Sequence, residues 1–472
     1  MPLAEAARPV RMQRIALVAP QAVLREALVT VAAAGVVQLD RDAEERVGEG
    51  PAARRLQQLR TGPVPPVLAP SAPDLDALAG AGRADLLAGE AELEGRAASA
   101  VRRGEVAALV GWCPAPRLPD LTTRLSHLGT AVVPLPSPRG VDPPTLLPAG
   151  GPVRRSFAPL ISTYGTVPYP DVDPTLLAGI AYVVMFGMMF GDAGQGLLLL
   201  VMAGVVRSGR PRRWPRLRSA WPFVAGAGLA STAFGVLYGE FFGPTGVLPV
   251  LWLSPLDQPL RLLEAAVGVG AVLLAAAYGV AVVNRWREGG PRLAVYASAG
   301  IAGVAMFLGL GALAAGWYVH AGTLTVLGGA VVVAGVGLAG MGFFAGTGGG
   351  PSGVLQAVVE VFDAVLRLGS NLVSFARLAA FGLTHAALGW LVWQGTVALT
   401  GRGWLGLLAA AVVFLAGNGV AFALEALVAA VQALRLEFYE LFSRIFAGEG
   451  QPFHPWRIPT AAPFHSTQEV TP

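Results

Sequence analysis

Ser370-Asn371-Leu372-Val373-Ser374-Phe375-Ala376-Arg377-Leu378-Ala379-Ala380-Phe381-Gly382-Leu383-Thr384-His385 places a permanent cation inside a long apolar helix. A guanidinium keeps its proton at any physiological pH. At mid-bilayer it costs at least roughly 2.5–3.5 kcal/mol on insertion scales. Arg377 is therefore a functional candidate, and its fixed charge predicts that something negative comes to it. The surrounding chain fits a membrane setting. It has 472 residues, 54% of them hydrophobic and 14% charged, with mean hydropathy +0.57. That is too apolar for a soluble protein of this size and suits a polytopic membrane protein.

The net charge is +4, and with no lysine in the chain every basic side chain is Arg or His. A GC-rich coding bias accounts for that choice. The arginines cluster in loops, which fits anchoring on the cytoplasmic side and argues against nucleic-acid binding. Cys113 is the single cysteine, so no intramolecular disulfide and no CxxC-type metal site can form. The N-terminus is polar and mixed, without the apolar core of a signal peptide, and is expected to stay in the cytoplasm.

Residues 1–155 read as a small α/β domain with a short helical hairpin and a Pro-rich linker. Arg14-Ile15-Ala16-Leu17-Val18, Gly35-Val36-Val37-Gln38-Leu39 and Ala107-Ala108-Leu109-Val110-Gly111-Trp112 look like strands. Gln21 to Ala34 and Asp120 to Leu128 carry helical periodicity. Residues 43–107, rich in Ala, Arg, Glu and Leu but interrupted near 62–73, read as two helices around a loop. The linker covers 135–155.

A membrane domain is expected over 156–446, followed by a cytoplasmic tail over 447–472. Apolar segments run at about 175–207, 219–243, 261–284, 293–318, 322–346, 370–400 and 404–436. The Arg-rich stretches 207–218 and 285–292 belong on the cytoplasmic side by the positive-inside rule. With a cytoplasmic N-terminal domain, segment 175–207 must then enter and leave on one side. Gly191-Asp192-Ala193-Gly194-Gln195-Gly196 is a polar, flexible break suited to that turn. Two short helices of about 15 residues each, too short alone for a roughly 30 Å core, are predicted there. The total is about eight spans, the last two long, with both termini cytoplasmic. The alternative is one unbroken helix and an external N-terminal domain.

Asn371, Ser374, Arg377, Thr384 and His385 share one broad helix face. Glu425, Gln432 and Arg435 repeat the pattern on the last span, with Asn418 extending the stripe and Glu437 and Glu440 at its end. A polar stripe on an apolar helix marks a water-filled or ion-handling surface. Blander alternatives stand beside this reading: Arg435 as a snorkelling residue and His385 as an ordinary interhelical hydrogen bonder. Asp192 and Glu240 read as structural turn or interface residues. A mid-membrane Glu425 must be neutral or paired. There is no Walker motif, no GxSxG and no metal-ligand spacing, so neither a cofactor nor a catalytic centre is expected.

Thr163-Tyr164-Gly165-Thr166-Val167-Pro168-Tyr169, Asp173-Pro174-Thr175 and Met185-Phe186-Gly187-Met188-Met189-Phe190-Gly191-Asp192-Ala193-Gly194-Gln195-Gly196 resemble the signature of the V/A-type rotary ATPase membrane subunit, subunit I in prokaryotes and subunit a in eukaryotes. Phe234-Gly235-Val236-Leu237-Tyr238-Gly239-Glu240-Phe241-Phe242-Gly243 is similar to the family's next block. Ser374-Phe375-Ala376-Arg377-Leu378 with His385, and Glu425 with Gln432 and Arg435-Leu436-Glu437-Phe438-Tyr439, resemble its last two spans, and Phe446 to Phe453 resembles its tail. The N-terminal half matches more loosely, through the first strand and Gly111-Trp112-Cys113-Pro114. Two departures stand out. The cytoplasmic arm is a stub of about 60 residues where the family usually carries a long coiled coil. Gln432 and Gln195 stand where His is common, so neither position titrates here.

The resemblance implies a stator subunit that forms two proton half-channels against a rotating proteolipid ring and couples ion flow to ATP hydrolysis or synthesis. A ring carboxylate would meet Arg377, which favours its ionised form and blocks a direct leak. Arg435 would share that electrostatic role. Glu425 would relay protons in one half-channel, with His385, Ser374 and Gln432 as polar lining and Glu437 near the cytoplasmic mouth. The implied partners are the ring, peripheral stalk subunits, a central rotor subunit and membrane lipid, with no nucleic acid. The implied place is the cell membrane of a prokaryote. The competing reading is a stand-alone secondary transporter or channel, against which the chain shows no inverted repeat with paired broken helices; a scaffold without an ion path is a third, opposed by the Arg377 stripe.

Overall fold

The computed structural model describes residues 8–461, except 41–49, 60, 61, 139, 149, 210–214, 348, 447 and 449. The chain divides into two compact units. One runs from Pro9 to Leu147 and takes in residues from Gly450 onward; the other is built on Pro148–Glu449.

The smaller unit is α/β. Its strands are β1 (Met12–Pro20), β2 (Gln38–Leu39), β3 (Val101–Arg103), β4 (Val106–Pro114) and β5 (Ala131–Leu135). The sheet order is β2-β4-β1-β5, with β3 also on β4, and every pairing is antiparallel. Helices α1 (Leu24–Ala34), α2 (Pro51–Gln58), α3 (Leu75–Gly80), α4 (Ala84–Ala98) and α5 (Leu118–Ser126) complete it. Leu28 and Val31 of α1 and Leu121 and Leu125 of α5 bury against Ile15, Leu17 and Leu109 of the sheet. Ala52 and Ala53 of α2 pack on Ala91 of α4, the small side chains that let two helices of the stub lie close. Part of the expected hairpin, 41–49 and 60–61, lies outside the described residues.

Residues 450–461, part of the stretch expected as a tail, are built into this unit. Trp456 and Ile458 join its core. Trp456 donates its backbone N–H to Val37 O at 2.8 Å and its indole N–H to Glu92 Oε1 at 2.8 Å. Burial satisfied by two hydrogen bonds explains why a Pro-rich terminal stretch is ordered.

The larger unit is helical: α6 (Pro152–Tyr164), α7 (Thr175–Met189), α8 (Ala193–Arg207), α9 (Trp221–Tyr238), α10 (Pro259–Tyr296), α11 (Ile301–Tyr318), α12 (Gly322–Gly346), α13 (Gly350–Ser374), α14 (Ala376–Thr400), α15 (Gly403–Leu436), a π turn (Glu437–Phe442) and α16 (Ser443–Ile445). Among the described residues, six helical stretches are long and apolar enough to cross a membrane: Arg218–Tyr238, Pro259–Tyr296, Ile301–Tyr318, Gly322–Gly346, Gly350–Thr400 and Gly403–Ile445. The short apolar pair α7 and α8 adds two more, so the chain is a multi-pass membrane protein. The hairpin break falls where the polar run foretold it, and Asp192 caps α8 by accepting from Gln195 N at 2.9 Å.

Two boundaries differ from the sequence-based expectation. Residues 285–292, expected as a loop, continue α10 as far as a break at Gly289 and Gly290, where φ turns to +71° at Gly290. The span expected to start at 370 instead begins as a separate helix, α13, at Gly350. Its Gln356, Glu360, Asp363 and Arg367 fall on a helical stripe and lower the local hydropathy without breaking the helix. α13 and α14 meet at Phe375, which is fully buried against Gly270 of α10; a Cβ on Gly270 would lie 2.2 Å from the ring. Arg377 thus sits in the first turn of α14. The basic loop residues 210–214 lie outside the described residues.

Candidate ion-handling site

α14 and α15 pack side by side, and one contact fixes their register. His385 Nδ1 and Glu425 Oε2 are hydrogen-bonded across the pair. His385 is 5% exposed and the Glu425 side chain 13%. A carboxylate at this depth needs a partner, and the imidazole supplies it. Phe190 closes one side, its ring centroid 5.0 Å from that of His385.

Two further acids face this imidazole. Asp192, Glu240 and His385 each bring one potential ligand atom within 4.8 Å of the others. All three are buried. They come from the α7–α8 turn, the segment after α9, and α14, so no spacing motif could have revealed them. Asp192 is already engaged. Its Oδ1 accepts from Gln195 N and from Phe242 N at 3.0 Å, and its Oδ2 accepts from Gly243 N at 2.7 Å. These bonds hold Phe242 at φ +51°, which a bulky residue adopts only under restraint. Gly243, at φ +90°, lies so close to α14 that a Cβ would meet Gly389 O at 2.7 Å. Asp192 therefore does act as a turn residue, and in doing so it brings Glu240 to His385. The triad offers cation-type ligands, but with Asp192 saturated by three N–H donors it is built first as an internal polar core.

The arginines lie elsewhere on the same two helices. Arg377 is eight residues from His385, roughly 12 Å along α14, and Arg435 is ten from Glu425, roughly 15 Å along α15. Arg377 is half-buried and Arg435 exposed. Neither guanidinium has an ion-pair partner among the described residues. Arg435 lies 6.0 Å over the Tyr439 ring. Both arginines, together with Arg444, are within electrostatic reach of Glu440, and Ser374 approaches the same carboxylate. With its amide turned to satisfy both ends, Asn371 donates to Glu440 Oε2 at 3.0 Å and accepts from Arg444 Nη2 at 2.7 Å.

Ser374 also bonds within its own helix, to Ser370 O at 3.0 Å. Gln432 is half-buried, its Oε1 without a partner among the described residues. Glu437 opens the π turn, is 0% exposed, and neither carboxylate oxygen has a hydrogen-bond partner among the described residues. π turns often mark functional sites. Of the residues expected to act, His385 and Glu425 meet directly, and Arg377, Arg435 and Ser374 gather at the other layer. Glu437 lies between Arg435 and Glu440 in the chain, without a hydrogen bond to either. Glu440, Arg444 and Glu240 are the additions. The sequence signals for the first two were weak, because they lie past the apolar run where charges are ordinary.

The chain matches the family described as V-type ATPase 116kDa subunit over residues 99–211. It is similar to the A-type ATP synthase subunit I of Aeropyrum pernix, 28% identical over 417 residues that cover 76% of this chain and 59% of that protein. The A-type ATP synthase subunit I of Thermococcus kodakarensis is 25% identical over 374 residues, 74% of this chain and 54% of its own length. The V-type ATP synthase subunit I 2 of Treponema pallidum is 36% identical over 146 residues, 28% of this chain and 32% of its own length. This chain spans little more than half the length of the two A-type relatives, 59% and 54%.

Proposed function

We propose that this homologue of the A- and V-type ATP synthase subunits I is the membrane stator of a rotary ATPase. It would form two proton half-channels against a ring of proteolipid subunits and so couple ion flow to ATP hydrolysis or synthesis. The observation that supports this most is Arg377: a half-buried guanidinium on a membrane helix, with no ion-pair partner among the described residues of its own chain. Such a charge is costly unless a counter-charge arrives from outside. A carboxylate carried on a neighbouring ring supplies one transiently. Close to Arg377 the acid ionises and gives up its proton; away from it, reprotonation lets the acid return to lipid. A cation that cannot deprotonate also bars a direct proton path between the half-channels.

Arg435 doubles the positive field from the facing helix. Glu425, His385, Glu240 and Asp192 form the polar wall of one half-channel, with Glu425 as the relay. Ser374, Gln432 and Glu437 line the path near the other mouth. The small α/β unit and both termini are assigned to the cytoplasmic side of a prokaryotic cell membrane. There the unit would meet peripheral stalk and central rotor subunits with a shorter arm than its relatives have.

ATP-driven acidification of vesicles carrying the reconstituted complex tests the reading. Arg377→Ala should abolish acidification while the ring and soluble subunits still co-purify. Normal pumping by that variant would sink the proposal, as would ion transport by the purified chain alone.

A further inference from the structure

α12 and α13 leave a cleft of about 640 Å³ between them. Val336, Met341 and Phe344 line it from α12, and Val354, Val358 and Phe362 from α13. A second cavity of about 830 Å³ adjoins the first and shares Met341 with it. Arg292, Tyr296 and Ser298, at the end of α10 and just beyond, are among its lining residues. Hydrocarbon thus passes into a patch with one cation and two hydroxyls.

Each half has a physical requirement. The cleft offers water almost nothing to hydrogen-bond, so water would not stay there. Left empty, its walls would forfeit dispersion contacts on one side. Phe362 is 64% exposed, so the chain does not cover the cleft itself. Arg292 is exposed and has no ion-pair partner among the described residues, and no Asp or Glu is among the lining residues of either cavity. An amphiphile with hydrocarbon at one end and a net negative, phosphate-bearing head at the other meets both requirements. A basic pocket between membrane helices is a recognised setting for such headgroups.

We propose that an anionic phospholipid occupies this site, one acyl chain in the α12–α13 cleft and its phosphate on Arg292, with the Ser298 and Tyr296 hydroxyls as further donors. The lipid fills the gap beside α13, the helix whose other end leads through Phe375 to Arg377. The site is independent of the ion path, so its failure would leave the stator reading untouched.

Native mass spectrometry of the full-length chain, released from micelles doped with equal amounts of phosphatidylglycerol and phosphatidylcholine, tests this. Phosphatidylglycerol adducts should exceed phosphatidylcholine adducts about fivefold, the preference expected from one arginine. Arg292→Gln should bring that ratio close to one, and Arg292→Lys should keep most of it. Val358→Trp, which fills the cleft, should lower both adducts. An unchanged ratio in Arg292→Gln overturns the headgroup assignment. Undiminished adducts in a folded Val358→Trp protein overturn the cleft as the acyl site. Arg292 is exposed, so its variant decides the matter even if the tryptophan variant does not fold.

Discussion

The arginine layer and the His385–Glu425 layer sit on the same two helices, yet they handle charge in opposite ways. At His385 partners are found within the chain: Glu425 is hydrogen-bonded to the imidazole, Asp192 is held by three backbone N–H groups, and Glu240 comes within 4.8 Å of both Asp192 and His385. At Arg377 and Arg435 the guanidiniums outnumber the acid. Arg377, Arg435 and Arg444 share Glu440. Buried charge that is compensated internally stabilises a fold; charge left in excess is available to something that moves. In the proposed stator, the first layer would position helices and line a path, and the second would meet the ring carboxylate.

The largest expected effect would break that contrast. Arg435→Ala should lower ATP-driven pumping at least tenfold, roughly 1.4 kcal/mol of barrier, with the unfolding temperature of the detergent-solubilised chain unmoved. A large loss of thermal stability would mean that Arg435 belongs to the internally compensated kind. Glu425→Gln should behave in the mixed way its layer implies, slowing pumping severalfold and costing stability as well. Combining it with His385→Ala in a double-mutant cycle should reveal a coupling of about 1–3 kcal/mol; strict additivity would dissolve the pair. Asp192→Asn should act on the fold alone, costing about 2 kcal/mol because a turn and a loop lose charge-assisted bonds. An unchanged melting curve would remove its anchoring role.

A smaller effect sharpens the comparison outside the spans. Asp171, in the turn before α7, is fully buried. Burial first, then the neighbouring Glu288 carboxylate, pushes its carboxyl up to about 8. Folding therefore takes up a proton between the ordinary aspartate range, about 4, and about 8. Stability should fall as pH rises through that window. Melting temperatures of Asp171→Asn measured across the window should show a flatter slope; an identical slope would exclude Asp171 as its source. The smallest effect concerns Cys113. Burial pushes its thiol up to about 11, so a thiol-reactive dye at neutral pH should label the native chain far more slowly than the unfolded one.

Much of this was readable from residue order. The polar run Gly191–Gly196 marked the hairpin because a flexible, hydrogen-bonding break in an apolar segment has few other uses. Three strands of the small unit followed from apolar runs bounded by turn residues, whereas β3 and β5 did not, because their short runs gain partners only in the sheet. The start of α13 was not readable in the same way: its charged stripe mimics a loop in a hydropathy count, and only packing on neighbouring helices shows that the stripe is one face of a helix. Trp456 and Ile458 were equally opaque, since a local pattern cannot tell a free tail from one whose apolar residues complete a distant core.

The sequence by itself determined that the chain crosses a membrane many times, that it carries an α/β unit, and that Arg377 and Arg435 are permanent cations in apolar surroundings. Those are properties of composition and period, which depend on near neighbours. The tertiary structure alone decided which acid meets which base. His385 and Glu425 are 40 residues apart, and Glu240 and Asp192 reach them from two other segments. Helix register and loop restraint set those distances, and Coulomb and hydrogen-bond energies depend on distance in space.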